Sequence, residues 1–195
     1  MHAAGVSLGG NALLCWLGLR GATASATVRS AIAVCAPLDL AVAGATLEHG
    51  FARLYAWNFL RTLRAKALEK SGRFAGRFDP ARIGAARSLR AFDDAYTAPA
   101  HGYRGVDDYW TRASSRPLLA SIRLPTLLIN TLDDPFLPAA VLPGRHDLPS
   151  WIEVERPARG GHVGFVRGWP PGDCSWLAAR AAAFLGIPPA PGATA

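Results

Sequence analysis

The 195-residue sequence predicts an α/β fold built on a parallel sheet. Two short apolar runs, Ala31-Ile32-Ala33-Val34 and Thr126-Leu127-Leu128-Ile129, have the character of strands buried on both faces, and a helical pattern lies between them. A third observation is the opening segment Gly5-Val6-Ser7-Leu8-Gly9-Gly10-Asn11, a G-x-S-x-G sequence of the kind in which a strand turns sharply into a helix.

The elements follow in order. Only Met1-His2-Ala3-Ala4 precede Gly5, so the first strand is expected to be cut short, leaving the carboxyl-terminal part of a longer domain with an open sheet edge. A helix from about Asn11 to Leu19 follows the serine, and the strand at Ala31 comes next. The interval of about 38–117 predicts a helical cap. Within it Leu47, Phe51, Leu54, Tyr55, Phe59, Leu63 and Leu68 recur at three- and four-residue steps, with Arg53, Arg61, Arg64, Lys66 and Lys70 mostly between them. That spacing predicts an amphipathic helix with a packed apolar face and a solvated basic one. After the strand at Thr126, Trp151-Ile152-Glu153-Val154-Glu155 alternates as a further strand, and a last helix runs from about Cys174 to Leu185. Residues 1–185 are thus expected to form one domain, followed by a Pro/Gly/Ala-rich tail at 186–195 that is expected to be disordered.

The chemistry rests on three side chains. Ser7 lies between glycines that remove side chains at a tight turn, which would leave its hydroxyl exposed for nucleophilic attack. Such a pattern specifies little without partners. An acid candidate follows the Thr126 strand in Leu132-Asp133-Asp134-Pro135; Asp134 is favoured as the orienting carboxylate and Asp133 is the alternative. A base candidate, His162, follows the Ile152 strand within Gly160-Gly161-His162-Val163-Gly164. The order Ser, Asp, His, each on a loop beyond a strand end, is that of the α/β-hydrolase triad.

Taken with Ala36-Pro37-Leu38-Asp39-Leu40, Phe92-Asp93-Asp94, Thr97-Ala98-Pro99 and His101-Gly102-Tyr103, these motifs resemble the YheT-like α/β-hydrolases over about residues 5–185. The resemblance implies an α/β-hydrolase fold, here a partial parallel sheet of later strands with a helical cap. It implies a serine esterase acting on small-molecule or lipid-like esters, with Ser7 as nucleophile, Asp134 as acid and His162 as base. Leu8, directly after the nucleophile, is expected to give one backbone N–H to the oxyanion. The loop expected to supply the second donor is absent from the sequence, so the fragment is expected to be a weak catalyst. Serine-triad chemistry calls for no cofactor.

Charge leaves further readings open. The net charge is +7, and the stretch from Arg53 to Arg90 holds ten basic residues against Glu69 and Asp79. A peripheral contact with an anionic lipid surface, or a partner-binding role for this basic cap, is one alternative to catalysis; an impaired remnant is another. Nucleic acid is excluded as a partner by the lack of any reading motif, and 19 of the 21 basic residues are arginine, a compositional bias. Neither a membrane span nor a signal peptide is visible. Cys15, Cys35 and Cys174 read as reduced core or near-core residues of a cytoplasmic protein, without metal spacing. Asp93, Asp94, Asp107 and Asp108 read as helix caps or partners for arginines.

Overall fold

The computed structural model describes residues 1–74, 76–169 and 172–188. The chain divides into two units, Met1–Leu38 with the part from Ser115 onward, and Asp39–Ser114.

The first unit is a four-stranded sheet in the order β1 (His2–Val6), β2 (Ser30–Val34), β3 (Thr126–Ile129), β4 (Ile152–Glu155). Every neighbouring pair is parallel, so all the strand ends that carry loops of interest lie along one edge. Burial follows position: all five residues of β2 and all four of β3 are buried, whereas the outer strands β1 and β4 alternate or thin out. This is why the two inner strands are continuous apolar runs and β4 is not.

Helix α1 (Leu8–Arg20) leaves β1 after a single residue and buries Leu14 and Leu17 against Ala31, Ala33, Leu119, Ile122 and Leu128. Each such leucine withdrawn from water contributes about 1.5–3 kcal/mol. The helix is longer than the spacing predicted, because its first turn, Leu8-Gly9-Gly10, is held by Gly10 and Asn11 amides donating to the Ser7 carbonyl. Within the same unit the Asn11 side-chain oxygen, buried, accepts the Ser115 amide at 2.9 Å. The Arg116 amide donates to the Leu38 carbonyl at 2.9 Å, so the two ends of the intervening segment are pinned together.

The second unit consists of α2 (Leu40–Leu47), α3 (Ala52–Arg73), α4 (Pro80–Ala85), α5 (Leu89–Phe92), α6 (Ala98–Ala100) and α7 (Val106–Arg112), with a π-helical turn at Asp93–Thr97. Asp39, Asp79 and Ser88 cap α2, α4 and α5 with side-chain oxygens. Its acidic pairs are tied to donors as expected: Asp94 to Arg82, Asp107 to Arg90, Asp108 to Arg104 and Arg112, while Asp93 accepts from Trp110 Nε1 and Thr97.

Helix α3 departs from the expectation. The face that packs inward is Ala52, Ala56, Leu60, Ala67 and Ser71, whereas Leu54, Tyr55, Trp57, Phe59, Leu63 and Leu68 are exposed. Small side chains let neighbouring elements approach closely, and the larger apolar stripe lies outside. The predicted continuous helix is also broken between Leu47 and Ala52 by a turn through Gly50, whose φ is +53°.

Helix α8 (Trp176–Leu185) belongs to the first unit and ends on Gly186 at φ +66°, a left-handed cap that suits glycine. Arg180 of this helix pairs with Glu153 and Glu155 of β4. The expectation of a disordered tail falls in large part on residues 189–195, outside the described residues. No described helix is long and apolar enough to cross a membrane.

Candidate active site

Ser7 is the single residue between β1 and α1, and its backbone sits at φ +51°, ψ −128°. That conformation is costly for a residue with a Cβ and persists only where the surroundings enforce it. Here β1 fixes one side, with the Ser7 amide donating to the Val34 carbonyl at 2.8 Å, and α1 fixes the other. The turn is tight enough that a Cβ on Gly5 would lie 2.6 Å from the Gly9 carbonyl oxygen and one on Gly10 would lie 3.0 Å from Ala36 Cβ. Gly9, by contrast, has open space around it. The steric demand therefore falls on the first glycine of the motif and on Gly10, not on the second glycine of G-x-S-x-G.

Asp134 follows β3 on a loop. Its side chain is fully buried; Oδ1 accepts the Phe136 amide at 2.9 Å and Oδ2 lies 2.8 Å from His162 Nδ1. The neighbouring Asp133 faces elsewhere, accepting the amides of Gly161 at 2.8 Å and Gly160 at 3.2 Å. Adjacent carboxylates thus have separate tasks: one meets the imidazole and the other ties down the loop bearing it.

His162 lies beyond β4, its side chain 16% exposed, with the Phe136 ring 4.7 Å away centroid to centroid. Its loop turns through Gly161 at φ +56° and is closed by the Phe165 amide donating to the Gly160 carbonyl at 2.9 Å. Thr131 Oγ1 donates to the Gly161 carbonyl at 2.7 Å, binding this loop to the end of β3. Phe165 is buried and stacks on Trp176. The result is that His162 Nε2 lies 2.9 Å from Ser7 Oγ, across 155 residues of sequence. A carboxylate on one ring nitrogen requires that nitrogen to carry the proton, which leaves Nε2 as acceptor for the serine hydroxyl.

Leu8, the fourth candidate, is the first residue of α1, so its N–H has no carbonyl within the helix to bond.

The sequence reading took Cys35 for a reduced core or near-core residue, in agreement with its burial, and gave it no part in the site. It follows β2 directly, is fully buried, and places its sulfur, an Asp134 carboxylate oxygen and a His162 ring nitrogen within 4.8 Å of one another. Those three donor types could in principle hold a metal ion, but both imidazole nitrogens are engaged, by Asp134 and by Ser7. The available signal was positional: Cys35 stands at the end of an apolar strand, as Ser7 does.

The chain matches no family profile. It is 38% identical over 180 residues to YheT, a candidate esterase of Escherichia coli (strain K12), an alignment covering 91% of this chain and 52% of that protein. It is 32% identical over 183 residues to phospholipase ABHD3 of Mus musculus, covering 90% of this chain and 43% of the relative. The chain thus spans about half the length of these relatives. An esterase of Pyrococcus furiosus overlaps 94% of this chain at 15% identity and a TM-score of 0.48. The parallel sheet with its strand-end loops, and the sequence likeness running through nearly the whole chain, lead to one placement: the chain belongs to the YheT-like α/β-hydrolases.

Proposed function

We propose that this chain carries the acyl-transfer site of a serine hydrolase acting on carboxylic esters, with Ser7 as nucleophile, His162 as general base and acid, and Asp134 as the carboxylate that orients it. The observation that carries the reading is the unbroken hydrogen-bond line from Asp134 through His162 to Ser7, ending on a hydroxyl held at a strained turn. YheT and ABHD3, a candidate esterase and a phospholipase, agree in ester substrates, and lipid-like esters are the class proposed for this chain.

The steps follow from the geometry. As Ser7 Oγ forms its bond to the ester carbonyl carbon, His162 Nε2 takes the hydroxyl proton and the carbonyl electron pair moves onto oxygen. Leu8 N–H, at the positive end of α1, donates to that oxyanion. Collapse of the intermediate breaks the bond to the leaving alkoxide, which receives the proton from His162, and an acyl-Ser7 ester remains. Water then attacks with His162 again as base, releasing the acid and restoring the serine. Throughout, Asp134 holds the proton on Nδ1 and stabilises the imidazolium.

The test is labelling by a fluorophosphonate probe of the chain and its Ser7→Ala variant, beside hydrolysis of short and medium p-nitrophenyl esters. Labelling and turnover that vanish together in Ser7→Ala support the reading. A folded chain that takes no probe overturns it.

One observation favours a second role for the helical unit. The start of α3 exposes Leu54, Tyr55 and Trp57 next to the exposed Phe51, and the helix carries six basic residues against Glu69. The Arg61 guanidinium lies 5.6 Å from the Trp57 ring. Exposed apolar side chains on a basic helix suit the surface of an anionic bilayer. Sedimentation with phosphatidylserine vesicles, lost in Trp57→Ser and absent with phosphatidylcholine alone, is the expected result; equal recovery from both lipids would argue against it.

A further inference from the structure

We propose that Cys35 is a positioning residue for Asp134, its buried thiol donating a hydrogen bond to that carboxylate and so setting how strongly the carboxylate attracts the proton of His162. The consequence for catalysis rests on the serine-hydrolase reading above, but the local geometry does not.

The first support is backbone strain. Among the described residues, the non-glycine positions at positive φ are Ser7, Cys35, Val163 and Phe165, and every one of them lies where a strand-end loop meets the site. Cys35, at φ +46°, has its amide anchored to the Ile129 carbonyl at 2.7 Å. A left-handed turn disfavours a side-chain-bearing residue, so it persists only where the surroundings enforce it. At Ser7 that bend presents a hydroxyl; at Cys35 it brings sulfur beside the acid and the imidazole.

The second support is what surrounds the sulfur. The backbone amides of Thr131, on the loop that leads to Asp134, and of Val163, directly after His162, pull the thiol pKa down. The sulfur at the end of β2 therefore lies close to the side chains carried by the loops after β3 and β4. The thiol has one proton to give, and the acceptor at hand, within 4.8 Å, is the Asp134 carboxylate. That carboxylate has capacity to spare, since Phe136 N–H and His162 Nδ1–H occupy one position on each oxygen. Burial pushes the Cys35 thiol up to about 11, against the pull of the Val163 and Thr131 amides and with the Asp134 charge adding to the rise. The proton therefore stays on sulfur at neutral pH, and the pair is a donor with an anion, not two anions.

The effect on His162 has a definite sign. A third donor spreads the charge of a fully buried carboxylate and weakens its hold on the imidazolium. Without it the carboxylate stabilises protonated His162 more strongly, and the base is blocked up to higher pH. Among the described residues, the polar groups placed against the imidazole are Asp134, Ser7 and Cys35, while Asp133 on the adjoining loop is committed to the Gly160 and Gly161 amides.

The experiment is an NMR titration of the His162 ring in the chain as it stands, in Cys35→Ala and in Cys35→Ser, with ester hydrolysis measured beside it. Cys35→Ala is expected to raise the His162 pKa by about half a unit to one unit. Cys35→Ser, which keeps a donor in the same place, is expected to return it to the wild-type value. Turnover in Cys35→Ala should fall about 3–10-fold near neutrality with KM unchanged, the acid limb of its pH profile displaced upward and serine restoring it. An unmoved His162 pKa in Cys35→Ala, or an equal displacement in Cys35→Ser, overturns the proposal by showing that the sulfur only fills space. Lack of esterase activity in every form would instead overturn the functional reading, because the titration still decides the role of Cys35.

Discussion

The Gly161 amide donates to the Asp133 carboxylate at 2.8 Å, one residue before the candidate base and one residue before the candidate acid. The imidazole loop is thereby fastened to the carboxylate loop through backbone, independently of the Asp134–His162 contact. Burial pushes the Asp133 carboxyl up, but the Gly161 and Gly160 amides outweigh it and hold the group below the usual carboxylate range. A folded pKa below the unfolded value of about 3.9 means a contribution fully present above that value and lost as pH falls through the folded one. Asp133→Asn should therefore melt lower than wild type at about pH 5, with the gap closing toward about pH 2. Melting curves across that range check it; a gap independent of pH would refute it.

Asp93 is expected to behave with the opposite sign. Burial raises its pKa, and the hydrogen bonds from Thr97 and Trp110 only partly offset the rise. A carboxyl that is harder to ionise when folded stabilises most below its unfolded pKa, loses ground as pH climbs toward its raised value, and is constant beyond. Asp93→Asn keeps an acceptor for Trp110 Nε1 and removes the ionisation. The stability of wild type relative to this variant should fall as pH rises above about 4, read from paired denaturant titrations.

Replacement of Asp134 by asparagine should leave the fold in place and reduce ester turnover by roughly 10³–10⁴, because the amide can favour the wrong imidazole tautomer. Asp133→Asn at neutral pH should cost far less. Side-by-side kcat values separate the two adjacent acids, and similar losses from both would argue against the assigned division of tasks.

The two glycines of G-x-S-x-G should respond differently to alanine. Gly5→Ala drives a Cβ to within 2.6 Å of backbone and should destabilise by about 1–3 kcal/mol while displacing Ser7. Gly9→Ala meets no atom within 4 Å and lies inside α1, where alanine is favoured over glycine by up to about 1 kcal/mol. Thermal melts with probe labelling distinguish these outcomes.

The parallel sheet and its inner strands were legible because strands buried on both faces leave uninterrupted apolar runs. Ser7, Asp134 and His162 stood out for a local reason as well, since each follows a strand and two are framed by glycine. The choice between Asp133 and Asp134 needed the third dimension: neighbours on one loop point in different directions, and sequence carries no vector. Cys35 was read only as a core residue because a cysteine after an apolar strand has the same local signature whether it merely packs or also lies beside an acid and an imidazole. The buried face of α3 was assigned to the larger residues on size, whereas close approach of the neighbouring helices selected Ala52, Ala56 and Ala67.

The hydrogen bond from the Arg116 amide to the Leu38 carbonyl has an evolutionary consequence. A 76-residue excursion, Asp39–Ser114, leaves and re-enters the sheet unit at nearly the same point. Insertions, deletions or wholesale exchange within it need not shift β2 against β3, so the register that aligns the strand-end residues is insulated from them. Descent can then revise one portion of the gene rapidly while the other stays under strict constraint, and relatives that share the sheet can diverge in the excursion without passing through a misfolded ancestor.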